Sequence, residues 1–212
     1  MAKPIARPLK HLIYFFKDLK QTGSIAPSSK FLAQDLVSHL KERVSCDECK
    51  PLKILEVGPG TGPLTKQIVK HLRPKDKLDV VEIHKKFFQI VKSRYRQQNL
   101  QVHHADILQF QPDYKYDFIF SSLPYENMPE EISREIWKKK LTLCSDEASI
   151  SYFKYVKFRN FKSDFEEEVV KKYGRDKKVV LLNLPPAKVY TLEINGQHKD
   201  NLPPAVENSN VA

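Results

Sequence analysis

Apolar residues in this chain gather in short runs, separated by stretches where they recur every three or four positions. Runs over 52–57, 77–82, 100–103, 116–121, 147–154, 177–184 and 187–193 read as strands. Helical spacing occupies 64–72, 85–96, 129–140 and 162–173. The alternation predicts an α/β fold, a doubly wound and mostly parallel seven-stranded sheet with helices on both faces. The last two runs flank Pro185-Pro186 and read as an edge hairpin.

Two segments stand ahead of this core. In the first, Ile5, Leu9, Leu12, Ile13, Phe16 and Leu19 make one apolar face, opposite Arg7, Lys10, His11, Lys17 and Asp18. Its side chains sum to +4 between Met1 and Lys20. A basic amphipathic helix of this kind either lies in a membrane interface or packs on the core. The second, Gly23-Ser24-Ile25-Ala26-Pro27-Ser28-Ser29, opens a helix through Val37 and Leu40, with a serine available as its cap. The organisation expected is a front segment over 1–22, a core over 23–194 and a polar, disordered tail over 195–212. No internal repeat is visible.

Composition narrows the partners. With 212 residues and 41% hydrophobic content, the chain can bury one sizeable core. A formal charge of +10 favours an anionic partner, nucleic acid or a negatively charged membrane surface. Three cysteines suggest free thiols in a reducing compartment. Cys46 and Cys49 have only Cys144 to join them, which falls short of a zinc site, so no metal is expected. His103 and His104 read as strand-end residues, and Lys138-Lys139-Lys140 as a solvated helix face. No apolar run is long enough for a membrane span, and no secretory signal is recognisable.

Candidate chemistry collects after four of the strands. Ile54-Leu55-Glu56-Val57 leads into Gly58-Pro59-Gly60-Thr61-Gly62, an acidic residue followed by three alternating glycines. Backbone without side chains lets a nucleotide-like ligand approach closely. The spacing is not G-x-G-x-x-G, and no Gly-Lys-Ser/Thr follows, which excludes a P-loop. Glu82 ends the second strand where a carboxylate can accept both ribose hydroxyls, with Ile83 beside it. Ala105-Asp106-Ile107 follows the third strand, and Ser121-Ser122-Leu123-Pro124-Tyr125 follows the fourth.

The glycine turn resembles the first motif of class I methyltransferases, which bind S-adenosyl-L-methionine, and so implies a Rossmann-like fold. Ser122-Leu123-Pro124-Tyr125 resembles the Asp/Asn/Ser-x-Pro-aromatic motif of enzymes that methylate amine nitrogens. The basic front helix, G-S-I-A-P-S-S, LEVGPGTG, SLPYENMP and NLPPAKVY, in that order, are similar to the bacterial phospholipid N-methyltransferases. That resemblance spans about Leu9 to Leu192. It implies transfer of methyl groups to phosphatidylethanolamine and its partly methylated forms, by a monomer held peripherally on the inner face of the membrane through the helix near Leu9–Lys20. It also implies that Glu56, Gly58, Pro59, Gly60, Thr61 and Gly62 surround the methionine part of the cofactor. Glu82 would hold the ribose and Asp106 with Ile107 would meet the adenine, with Ile83, Ala105 and Ser121 also among the cofactor-binding residues. Ser28 and Ser29 would close the front of the pocket. Ser122, Leu123 and Pro124 would form the methyl-transfer wall, Tyr125 would face the cationic nitrogen and Glu126 would attract the ammonium or take its proton. One departure stands out: that family often has aliphatic residues after Leu-Pro, where this chain has Tyr125-Glu126.

Three alternatives stay open. RNA adenine dimethylases carry Asn-Leu-Pro-Tyr, and a basic chain can bind phosphate backbone. Against them, the chain is expected to lack a helical domain after the sheet. A small cytosolic amine would make the front helix irrelevant to catalysis. A non-enzymatic binding module would leave the glycine turn and its acids unexplained.

Overall fold

A computed structural model of the chain describes residues 29–45, 50–125, 128–156 and 164–196. The front segment, with the helix expected near Leu9–Lys20, Ser28, Cys46, Cys49, Glu126 and the tail beyond Gly196 lie outside the described residues. The strands are β1 (Lys53–Val57), β2 (Lys77–Glu82), β3 (Leu100–His104), β4 (Tyr116–Ser121), β5 (Cys144–Tyr155), β6 (Gly174–Val180) and β7 (Ala187–Asn195). The helices are α1 (Lys30–Leu36), α2 (Ser38–Val44), α3 (Pro63–His71), α4 (Lys85–Arg94), α5 (Glu130–Leu143) and α6 (Asp164–Tyr173). All seven strands join one sheet in the order β3-β2-β1-β4-β5-β7-β6. Strands β1 to β5 run parallel, and β7 is antiparallel to both β5 and β6. The order reverses between β1 and β4, so a crevice opens at their carboxyl ends.

Alternation along the central strands builds two cores. Ile54, Phe118 and Phe120 face one side, where Leu32, Leu36, Leu64 and Ile68 of the helices cover them. Leu55, Val57 and Ile119 face the other side and pack with Ile136, Trp137 and Phe165. Buried carboxylates pin the strand starts: Asp76 accepts from the Leu52 N–H at 2.8 Å and Asp117 from the Lys53 N–H at 2.9 Å. Asp79 gathers His103, Tyr114 and Tyr116 at 2.7, 2.5 and 2.8 Å beneath β2 and β3.

The departures from expectation have local causes. The front helix of the core breaks at Val37 (φ −93°, ψ 8°), where the Ser38 hydroxyl donates to the Asp35 carbonyl and competes with the helix ladder. β6 ends at Val180, because Leu181, Leu182 and Leu184 belong to an exposed turn instead of the strand. β7 continues to Asn195, which pairs with Glu147, so strand occupies a position assigned to the tail. Lys140 is fully buried, a correction to the solvated lysine run. It shares the inward stripe of α5 with Ser133, Ile136, Trp137 and Leu141, three to four positions apart.

Candidate functional site

The turn after β1 is shaped by three left-handed glycines. At Gly58, φ is 71°, and an added Cβ would lie 2.7 Å from Leu123 Cδ2. This contact brings the β1 and β4 turns together. Gly60 (φ 57°) has nothing within 4 Å of a would-be Cβ, so its Cα opens on free space. Gly62 caps α3, with Pro63 at its first position, and its N–H donates to the Pro59 carbonyl at 2.9 Å. From α4, the Arg94 guanidinium donates to the Thr61 carbonyl at 2.7 Å and braces the turn. Sequence reading missed that brace, because a lone arginine at a helix end carries no motif. The Gly58→Ala variant is expected to lose about 1–3 kcal/mol of stability from left-handed strain and the Leu123 contact. Its methyl-transfer rate should fall more than about tenfold as the β4 turn is displaced. Gly60→Ala should cost only the strain, while weakening cofactor binding; denaturant melts and calorimetry on the pair read the difference.

Acidic groups follow around this turn. Glu56 is fully buried within β1, and neither of its oxygens meets a donor with hydrogen-bond geometry. Burial pushes its pKa up to about 8, an effect that nearby Thr65 offsets only in part and Glu82 adds to. Glu82 accepts from the Gly60 N–H at 3.2 Å and the His84 N–H at 2.7 Å. Burial raises its pKa despite these bonds, and each oxygen keeps a lone pair for further donors. Its backbone carbonyl accepts from the Ala105 N–H at 3.2 Å, which sets Asp106 beside it. Asp106 is buried, accepts from the Leu108 N–H at 3.0 Å and has a pKa raised by burial. Ile83, Ala105 and Ile107 supply apolar contact at the same end of the sheet. An orphaned carboxylate, an open glycine and two strand-end acids fit a ligand with an ammonium group, a ribose and a base.

The turn after β4 is joined to the same crevice, since the Ser122 N–H donates to the Val57 carbonyl at 3.0 Å. Ser122 and Pro124 are half-buried and Leu123 is buried. Two expected positions differ in the structure. Tyr125 is only 4% exposed, with its ring stacked on Trp137 at 5.3 Å, so it presents no open face to an acceptor. Its hydroxyl is 2.7 Å from the hydroxyl of Ser121, which is fully buried and so engaged inward instead of with a cofactor. Ser29 is occupied as the cap of α1: its Oγ accepts from the Leu32 N–H at 3.2 Å.

Behind Tyr125 lies a group that sequence reading misassigned. Lys140 Nζ sits 3.1 Å from the Trp137 ring centroid and 4.6 Å from that of Tyr125, with no hydrogen-bond partner. Burial pushes its pKa well below the usual lysine range, and Glu166 draws it back only in part. Glu166 itself accepts from the Tyr152 hydroxyl at 2.8 Å and from Lys154 at 2.9 Å. Among the described residues, no group of His, Cys, Asp and Glu could hold a metal ion. No described helix is long and apolar enough to cross a membrane.

Magnesium protoporphyrin IX methyltransferase from Synechocystis PCC 6803, solved with S-adenosylmethionine, aligns with a TM-score of 0.62 at 12% identity, covering 91% of this chain and all of that one. The N-methyltransferase NodS from Bradyrhizobium japonicum WM9, solved with S-adenosylhomocysteine, aligns with a TM-score of 0.63 at 12% identity, covering 85% and 98%. At these identities they show the fold, a Rossmann-like methyltransferase sheet. An ornithine lipid N-methyltransferase from Singulisphaera acidiphila is 29% identical over 83% of this chain and 90% of its own length. Ribosomal RNA small subunit methyltransferase A from Mycoplasma capricolum is 34% identical over 55% of this chain. The match spans only 45% of that enzyme's length. Residues 23–160, about two thirds of the chain, match the family described as Ribosomal RNA adenine dimethylase. The chain belongs to the ribosomal RNA adenine dimethylase family of class I methyltransferases, whose cofactor is S-adenosyl-L-methionine.

Proposed function

We propose that this protein N-methylates the amino headgroup of a membrane phospholipid, phosphatidylethanolamine and its partly methylated forms, towards phosphatidylcholine. The observation that carries this reading is the extent of likeness to the ornithine lipid enzyme, 83% of this chain against 90% of that one. The basic amphipathic sequence over 1–22 supports the same reading, as the means of holding the protein on the inner face of an anionic membrane.

When bound, S-adenosylmethionine supplies an electrophilic methyl group. Glu56 is the carboxylate available to its amino group, Glu82 to its ribose and Asp106 to its base. The Gly60 backbone leaves room for it, and Gly58, Pro59, Thr61 and Gly62 hold the turn in shape. Ser122 and the Leu123 carbonyl accept hydrogen bonds from the headgroup amine and aim its lone pair. The Leu123 carbonyl already receives the Tyr125 N–H at 3.0 Å and retains a second lone pair. The headgroup amine, in its neutral form, would take the methyl while the departing sulfur would keep the bonding electron pair, and a nitrogen that still carries a proton would then release it to water. Positioning of this kind is worth up to about 7–11 kcal/mol of barrier. Tyr125 acts in this reading as a packed support for the turn.

A second reading, dimethylation of an adenine in RNA, is favoured by the family match and by Ser122-Leu123-Pro124-Tyr125. One assay separates the two. Methyl-labelled S-adenosylmethionine is offered with ethanolamine-lipid vesicles or with unmodified ribosomal RNA. Label is expected in the lipid phase; label in RNA alone would overturn the lipid reading.

A further inference from the structure

We propose that the turn between β6 and β7, residues 181–186, is a lipid-inserting anchor that seats the protein on an anionic bilayer. This rests on the lipid-acceptor reading above and names a surface that the reading does not use.

Three leucines stand out on the described surface. Leu181, Leu182 and Leu184 are 75%, 68% and 86% exposed, with Val179 and Phe31 about half exposed nearby. Such a cluster at one tip is unusual for a soluble surface and marks a contact. The tip is also rigidly based. Asn183, buried among the leucines, accepts from the Ser29 N–H at 2.8 Å and donates to the Pro185 carbonyl at 2.7 Å. The Val156 N–H donates to the Pro186 carbonyl at 2.7 Å. The leucines therefore project from a fixed mount.

Register shows which end of the molecule they occupy. Ser121 of β4 pairs with Tyr152 of β5, and Tyr155, three residues on, pairs with Ala187 at the start of β7. The turn lies just beyond Ala187 and its partner Val180. It thus shares the carboxyl rim of the sheet with Ser122, Leu123 and Pro124. A headgroup amine presented by a bilayer touching the leucines would approach the rim where methyl transfer occurs.

Charge selects the partner. From Lys177 to Lys188 the chain carries three lysines and no carboxylate, and exposed Lys30 follows the Ser29 that holds Asn183. Lys178 pairs with Asp35, while Lys177 lies 5.5 Å from the Tyr190 ring centroid. Leucines flanked by Lys30, Lys177 and Lys188 suit an anionic lipid surface, with apolar tips inserted and ammonium groups at the phosphates. The same lysines disfavour a second copy, which would bring like charges together.

The test uses the full chain with vesicles of phosphatidylethanolamine and phosphatidylglycerol. Replacing Leu181, Leu182 and Leu184 together by serine should lower vesicle partition at least about 30-fold. Methylation of vesicle lipid should fall in step, while the melting temperature and methylation of a dispersed short-chain amino lipid hold. In a separate Leu182→Trp protein, the introduced indole should shift to the blue and be quenched by brominated lipid; no change would overturn the anchor. Unchanged partition of the triple variant would overturn it too, whatever the acceptor. So would a solution dimer that the triple variant dissolves. If partition falls as expected but label enters RNA alone, the anchor stands and the lipid-acceptor reading fails.

Discussion

Glu56→Gln is expected to stabilise the free protein and weaken S-adenosylmethionine binding in the same variant. Glu56 is fully buried, neither oxygen meets a donor in good hydrogen-bond geometry, and burial pushes its pKa up to about 8, against an ordinary value near 4.3 for glutamate. Between about pH 4.5 and 8 the folded chain keeps a proton there that the unfolded chain has lost. Stability therefore falls as pH rises through that window, by at most about 1.4 kcal/mol per unit. Glutamine carries no such cost, so the variant should gain about 2–3 kcal/mol at pH 7. The gain should vanish below about pH 4.5 and level off above about pH 8. Binding moves the other way. A carboxylate facing the cofactor's amino group contributes a charge-assisted hydrogen bond, and losing it should raise Kd about 10- to 100-fold. Cofactor binding to the unsubstituted protein should also release a proton near pH 7, seen by calorimetry in buffers of different ionisation heat. Parallel stability profiles for the two proteins from pH 4.5 to 8 would refute the account.

Lys140→Met should give the second large effect, a stability gain of about 1–4 kcal/mol near neutral pH. The amine is buried against Trp137, Tyr125 and Tyr152 with no hydrogen-bond partner, and methionine fills similar space without a polar head. Its folded pKa is lowered by burial, so in a window below the usual lysine value the unfolded chain holds a proton that the folded chain lacks. Stability from this site rises with pH across that window. The advantage of Lys140→Met should accordingly shrink as pH climbs towards about 10.4. Denaturant melts from pH 7 to 10 measure this directly. A variant less stable than the parent would mean that the aromatic rings hold Lys140 as a favourable cation.

Strands β1 to β4 were legible because apolar runs and an acid at or after a strand end recur at nearly regular spacing. The glycine turn, Glu82 and Asp106 follow from the same pattern, and the structure gathers them at one crevice. Misreadings arose where local pattern and tertiary environment disagree. Val179 to Leu182 look like the middle of a strand, yet β6 is an exposed edge and ends within that run. Lys140 looks like one of three surface lysines until the helix period places it under Trp137. Tyr125 carries a motif, but no motif says which way its ring turns; stacking on Trp137 and the Ser121 hydroxyl decide that. Arg94 is invisible to pattern because its partner is a carbonyl 33 positions away.

The contact between Gly58 and Leu123 sits on the seam where strand order reverses. On one side, β1, β2 and β3 carry every acid and glycine assigned to the cofactor. On the other, β4, β5, β7 and β6 carry the acceptor turn and the leucine tip. A lineage could thus rewrite one half to meet a new acceptor while inheriting the other unaltered. Besides the backbone ladder between β1 and β4 and the bond from the Ser122 N–H to the Val57 carbonyl, the interlock to preserve would be a glycine without a side chain against a leucine that fills its place.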